Sequence, residues 1–131
     1  MATREAACSC GQLHLTVEGE PFSVGICHCL ACQRRTGSAF GFQARFPRDR
    51  VQISGESREY SRLSDAGEQR TYNFCPDCGA NVYYAGASEP DLVAVPVGAF
   101  ADPDFPEPRV SVWETSKHAW VTLPPGLEQS S

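Results

Sequence analysis

Cys27-His28-Cys29-Leu30-Ala31-Cys32 places three cysteines within one short stretch, with a histidine between the first two. Two further pairs bracket it: Cys8-Ser9-Cys10-Gly11 upstream and Cys75-Pro76-Asp77-Cys78-Gly79 downstream. These three clusters account for all 7 cysteines of the chain. An odd count cannot be fully paired into disulfides within one chain. Met1 to Ala7 is short and polar and has no apolar secretory segment. Nothing in the sequence approaches the ~20 apolar residues of a membrane helix. The expected compartment is therefore a reducing cytoplasm, where closely spaced thiols serve as metal ligands or redox groups rather than as bridges.

A division into four plus three uses every thiol. Four thiolates fill the coordination of tetrahedral zinc, and three leave one position open. The outer pairs, Cys8, Cys10, Cys75 and Cys78, read as a closed structural zinc site. Cys27, Cys29 and Cys32 read as an open zinc site that can take a substrate, giving up to two zinc ions per chain. Neighbours at i and i+2 point to opposite faces of a strand. Cys8 and Cys10 can share an ion only if the chain turns there, and Gly11 supplies that freedom. The spacing of Cys75 and Cys78 is that of a zinc knuckle, with Pro76 and Gly79 shaping the turn. The competing chemistry for this pair is a thioredoxin-like redox couple, which belongs to a βαβ unit, and none is visible around Cys75. For the central triplet the competitor is a free reactive thiol.

The 131 residues fit one domain, expected over 1–123, with 124–131 as a loose tail. The 11 glycines and 10 prolines favour short strands and many turns over long helices. Leu13, Leu15 and Val17 alternate with polar neighbours as a half-buried strand, which leaves His14 as a solvated strand residue. Phe22 to Ile26 is a short apolar run into the triplet. One helical turn after Cys32 is closed by Gly37. Phe40 to Phe46 alternates as a strand broken by Pro47, and Val51 and Ile53 begin another. Arg58 to Leu63 and Gln69 to Phe74 read as hairpin arms around the loop 64–68, delivering Cys75 and Cys78 at their end. Asn81 to Tyr84 and Asp91 to Val97 are further strands, with Pro96 pointing to an edge or a bulge. Asp102 to Pro108 reads as an extended connector. Beyond it, Arg109 to Trp113 and Ala119 to Leu123 flank the segment 114–118. The fold class is mainly β, with several small antiparallel sheets around the cysteine clusters.

The ordered set CxCG, CHCxxC and FCxxCG resembles the glutathione-dependent formaldehyde-activating enzyme family, which includes centromere protein V. The matching residues are Cys8-Ser9-Cys10-Gly11, Cys27-His28-Cys29 with Cys32, Arg34 and Gly37, Phe74-Cys75 with Cys78-Gly79, and Ser116-Lys117 with Trp120. The resemblance covers most of the chain. It implies a fold of small antiparallel sheets built around zinc, shared with a Rab-GTPase-binding zinc protein. It implies that Cys8, Cys10, Cys75 and Cys78 bind the structural ion and Cys27, Cys29 and Cys32 the catalytic one. The implied activity is condensation of glutathione with formaldehyde to S-hydroxymethylglutathione, formally a carbon–sulfur lyase reaction in reverse. Where many members carry a histidine near the C-terminus, this chain has Ser111.

Open zinc is a Lewis acid that deprotonates an arriving thiol, which can then add to an aldehyde. His28 is a candidate catalytic proton relay, since its ordinary pKa lies near neutrality. The alternative is an indirect hydrogen-bonding role or a place in solvent. A pocket for glutathione needs cations for two carboxylates, and Arg34 and Arg35 beside the triplet are the candidates, either as carboxylate forks or as a solvated face. Arg45, Arg48 and Arg50 follow, the last two reading as solvated. Trp113 and Trp120 could wall a pocket or pack in the core. The expected partners are a small thiol and an aldehyde. A homodimer is left open. A non-catalytic zinc-held module binding a protein partner is the rival reading. Nucleic-acid binding through the arginines is disfavoured by the net charge of −5.

Overall fold

A computed structural model describes residues 2–131. Eleven strands and one α-helix follow in chain order. The strands are β1 (Thr3–Ala7), β2 (His14–Glu18), β3 (Ser23–Cys27), β4 (Gly41–Pro47), β5 (Val51–Ser54), β6 (Arg58–Leu63), β7 (Gln69–Phe74), β8 (Asn81–Gly86), β9 (Leu92–Pro96), β10 (Val110–Val112) and β11 (Glu128–Gln129). The helix, α1, is Leu30–Thr36. The class is mainly β, and the strands form two sheets, one of three strands ordered β1-β2-β5 and one of eight ordered β11-β10-β3-β4-β9-β8-β7-β6.

Alternation builds the small sheet. Leu15 and Val17 of β2 turn inward and are fully buried, while His14 and Glu18 face solvent. Their side chains meet Ala44 and Phe46 of β4, Val82 of β8 and Val93 and Val95 of β9 in one apolar core between the sheets. Phe100 and Phe105 close one end, stacked with ring centroids 4.9 Å apart. Cys8 and Cys75 belong to the same buried cluster, so the outer cysteine pairs are tied to the core itself.

Four local expectations are revised. Thr3–Ala7, read only as a polar start, is a strand paired along its whole length with β2. β9, with Pro96 as its last residue, is not an edge strand, because it lies between β4 and β8. The segment 119–123 forms no strand. The end of the chain is not loose: β11 pairs in parallel with β10, which itself pairs in parallel with β3. These short parallel pairs carry no period-2 apolar signature of their own, since Glu128 and Gln129 are exposed.

The hairpin of β6 and β7 forms with the expected arms and loop, in the register Arg58↔Phe74 to Leu63↔Gln69. β6 is the outer edge of the large sheet, and Arg62 is its one partly buried residue. Among the described residues no helix is long and apolar enough to cross a membrane.

Candidate metal centres

The outer centre forms where two tight turns face each other. In the first, the Gly11 amide donates to the Cys8 carbonyl at 3.1 Å with Gly11 at φ 84°, and the Cys8 amide closes onto Leu13 O at 2.9 Å. In the second, the Gly79 amide donates to Cys75 O at 2.8 Å with Gly79 at φ 78°, and the Cys75 amide closes onto Ala80 O at 3.0 Å. Both glycines occupy the left-handed region that other residues adopt only at a cost. The four Sγ atoms converge within 4.8 Å of one another. Cys8 Sγ lies 3.6 Å from Cys10 Sγ, and Cys10 Sγ lies 3.7 Å from Cys75 Sγ. Tetrahedral zinc with Zn–S bonds of ~2.3 Å sets its thiolates about 3.8 Å apart, so the donor set fits such an ion.

N–H donors already surround these sulfurs. Leu13 N points at Cys8 Sγ (3.4 Å), and Asp77 N and Cys78 N point at Cys75 Sγ (3.3 and 3.5 Å). Gln12 Nε2 reaches Cys75 Sγ at 3.0 Å and also donates to Glu56 O at 2.7 Å. Burial works against ionising Cys75, but the Gln12 amide and the two backbone donors outweigh it and bring its thiol down to about 6. Gln12 carried no signal in the sequence, because its role depends on a turn that brings residues 63 positions apart together.

The central centre is local. β3 ends in Cys27, Cys29 is the N-cap of α1, and Cys32 lies on its first turn, with Cys32 N donating to Cys29 Sγ at 3.3 Å. Gly37 closes the helix at φ 66°, as its position suggested. All three thiols are buried, with Sγ atoms within 4.8 Å of one another. A hydrogen bond from Cys27 pulls the Cys32 thiol down; burial opposes this, and the charge of Arg35 adds to it, for a value of about 5. Cys27 and Cys29 are pushed up, Cys27 first by its bond to Cys32 and Cys29 by burial. One thiolate is thus favoured before any ion is added, and a bound ion would ionise the others.

The triplet opens onto a cavity of about 210 Å³, lined also by Gln43, Arg45, Arg62, Arg70 and Trp113. The two candidate arginines are placed differently. Arg35 Nη2 stands 3.8 Å from Cys32 Sγ, and its guanidinium carbon is 5.2 Å from the ring centroids of both Tyr72 and Tyr84. Arg34 is exposed and does not line the triplet's cavity, but it shares with Arg35 a second surface cavity that also holds Tyr60, Arg62 and Tyr72. Trp113 walls the cavity, whereas Trp120 is exposed.

His28 is fully buried and does not line the cavity. Alternation along the chain sends Cys27 and Cys29 one way and His28 the other. Its Nε2 meets Ser111 Oγ at 2.9 Å, its ring stands edge-on to Phe40, and burial lowers its pKa. Gln33 of α1 pins this region by donating to both His28 O (2.9 Å) and Ser116 O (3.1 Å).

The chain is thus mainly β, with one cluster of four thiols and one of three that could each hold a metal ion, the latter opening onto a cavity. Residues 3–116 match the glutathione-dependent formaldehyde-activating enzyme family, and the chain belongs to it. Among solved structures it is similar to a Rhodobacter sphaeroides protein, at 18% identity and a TM-score of 0.58, covering 97% of this chain and 99% of that one. That likeness concerns the fold. No curated protein matches the chain.

Proposed function

We propose that this protein is a zinc-dependent enzyme of the carbon–sulfur lyase type, joining a small thiol to an aldehyde as S-(hydroxymethyl)glutathione synthase joins glutathione and formaldehyde. The observation that carries this reading is the three-thiol centre: Cys27, Cys29 and Cys32 converge at a cavity with no fourth thiol within reach. Family membership supplies the glutathione and formaldehyde chemistry. Cys8, Cys10, Cys75 and Cys78 would hold the structural zinc, and Cys27, Cys29 and Cys32 the catalytic one. When bound, that second ion supplies Lewis acidity toward a thiol in its open position.

The chain's own residues do the rest. Arg35 sets a positive charge beside Cys32 and so offsets part of the negative charge that three thiolates concentrate. Burial of all three sulfurs limits water around the reacting groups. His28 holds Ser111 and the end of β10 in place; with its ring turned from the cavity we assign it positioning rather than proton relay. The protein would work in the cytoplasm.

Cobalt replacement of the metals tests this. Glutathione should raise the thiolate-to-metal absorption of the wild type but not of Cys29→Ser, and the product should form faster than in the uncatalysed mixture. No spectral response to any thiol at millimolar concentration, with no rate above background, overturns the proposal.

A further inference from the structure

We propose that the cavity between α1 and the β6–β7 hairpin is a second binding site, built for a free nucleotide, with a planar base stacked on Tyr60 and Phe74 and its phosphate held by Arg34 and Arg62. Among the described residues, none of the three sulfurs of the triplet lines this cavity.

The cavity has a volume of about 660 Å³, against about 210 Å³ for the one at the triplet. That lies within the ~300–1,000 Å³ of small-molecule sites. Two elements wall it. Side chains four apart on a helix share a face, so α1 offers Leu30 with Arg34 and Ala31 with Arg35. Alternation along β6 puts Arg58, Tyr60 and Arg62 on one face, where they stand opposite Phe74, Tyr72 and Arg70 of β7. Guanidiniums and rings are therefore interleaved.

The protein itself leaves both kinds of group poorly matched. Tyr60 and Leu30 are 61% and 60% exposed, so two large apolar side chains face water in the same cavity. Arg34 makes no ion pair among the described residues. Arg62 meets Asp65 at 3.6 Å, looser than the ~2.7–2.9 Å of a tight charged pair. Among the described residues Asp65 is the one carboxylate in the wall, against the guanidiniums of Arg34, Arg35 and Arg62. Asn81, opposite Phe74, completes the wall, and its Oδ1 has no hydrogen-bond partner.

Open rings suit the flat face of a base. Guanidiniums without a close anion suit a phosphate, which arginine grips at two points. A side-chain amide offers the donor and acceptor that match the edge of adenine. Together they describe an aromatic base joined to a phosphate. The net charge of −5 opposes a long polyanion and favours a single nucleotide over a strand.

Titration calorimetry of the zinc-loaded protein with adenosine monophosphate, adenosine and inorganic phosphate reads the two halves of the site. The monophosphate should bind at least about tenfold more tightly than either part, the gain of about one further stacking or charged contact. Tyr60→Ala should weaken it by about tenfold, the scale of one stacked base. Tyr60→Phe should restore it, since the ring and not the hydroxyl makes the contact. Arg34→Gln should weaken the monophosphate by about tenfold and leave adenosine unchanged. Cys29→Ser, which removes a ligand from the triplet, should leave the affinity as it is. Loss of binding in that variant would place the ligand on the metal and overturn the site. No binding of the monophosphate at millimolar concentration, or adenosine binding as tightly as its monophosphate, would overturn it as well. A short oligoadenylate binding more tightly than the monophosphate, with a steep loss in salt, would overturn the free nucleotide as occupant in favour of a single strand.

Discussion

Cys8, Cys10, Cys75 and Cys78 meet at the tips of two turns that are 65 residues apart along the chain, with two of the four thiols exposed. Cys27, Cys29 and Cys32 meet through one strand end and one helical turn, all of them buried beside a cavity. On the proposed reading the same side chain serves two purposes, and sequence separation marks the difference. A clip across a long loop removes much entropy from the unfolded chain, whereas a clip within six residues removes little. The outer centre is thus fitted to hold the fold. The inner one costs the fold little if lost, and its surroundings of charged and unpaired polar groups suit a ligand.

The largest expected effect breaks that comparison outright. Cys78→Ser should destabilise the protein by an amount on the order of 10 kcal/mol, the scale of a structural zinc in a small domain, enough to unfold it. Cys29→Ser should shift the melt only slightly, since serine is a good N-cap and keeps α1 started. Thermal melts by circular dichroism with elemental analysis decide the point. Equal losses would mean that the two clusters share one structural role.

A smaller effect concerns what braces the inner centre. Ser111→Ala removes the one hydrogen bond of the buried His28 ring, whose Nδ1 already has no partner. Leaving Nε2 unpaired as well should cost about 1–3 kcal/mol. Zinc at the outer cysteines should be unaffected, and metal at the triplet should be lost more readily to a chelator. A melt unchanged by this substitution would show that His28 draws nothing from Ser111.

The cysteine division was legible because metal ligands recur at fixed short spacings and the count could be split in only a few sensible ways. The β6–β7 hairpin was legible from its turn residues. What could not be read was which arginine faces the triplet. Arg34 and Arg35 are adjacent in sequence, yet the turn of α1 sends Arg35 to Cys32 between two tyrosines and leaves Arg34 in solvent. The burial of His28 against Ser111 was equally hidden, because it depends on a parallel pairing of β3 with β10, a contact between residues 83 positions apart. β11 and the role of Gln12 escaped for the same reason: polar residues held by distant backbone leave no local pattern.

Gly41 offers the sharpest separation of the two regions. It lies at the start of β4, opposite Cys27, and an added Cβ would stand 3.0 Å from Arg35 Nη2, 3.3 Å from Cys32 Cβ and 3.3 Å from Gln43 Oε1. The absence of a side chain there is what lets an arginine, a metal-ligand candidate and an unpaired amide converge. The backbone is ordinary strand at this point, so alanine meets no φ penalty and recovers about 0.4–1 kcal/mol from the unfolded chain. That gain roughly offsets the crowding, much of which the flexible end of Arg35 can absorb. Gly41→Ala should therefore melt within about 1 kcal/mol of wild type and keep its full complement of metal at Cys8, Cys10, Cys75 and Cys78. Displacing Arg35 and Cys32 should weaken metal binding at the triplet by about tenfold or more, as loss of an outer hydrogen-bond partner does at other metal sites. Chelator competition on the cobalt-loaded protein reads the two centres separately. Equal weakening of both would mean that the centres are mechanically coupled through the core. Weakening confined to the triplet would show that its geometry is set by this one close approach, independently of the clip that holds the fold.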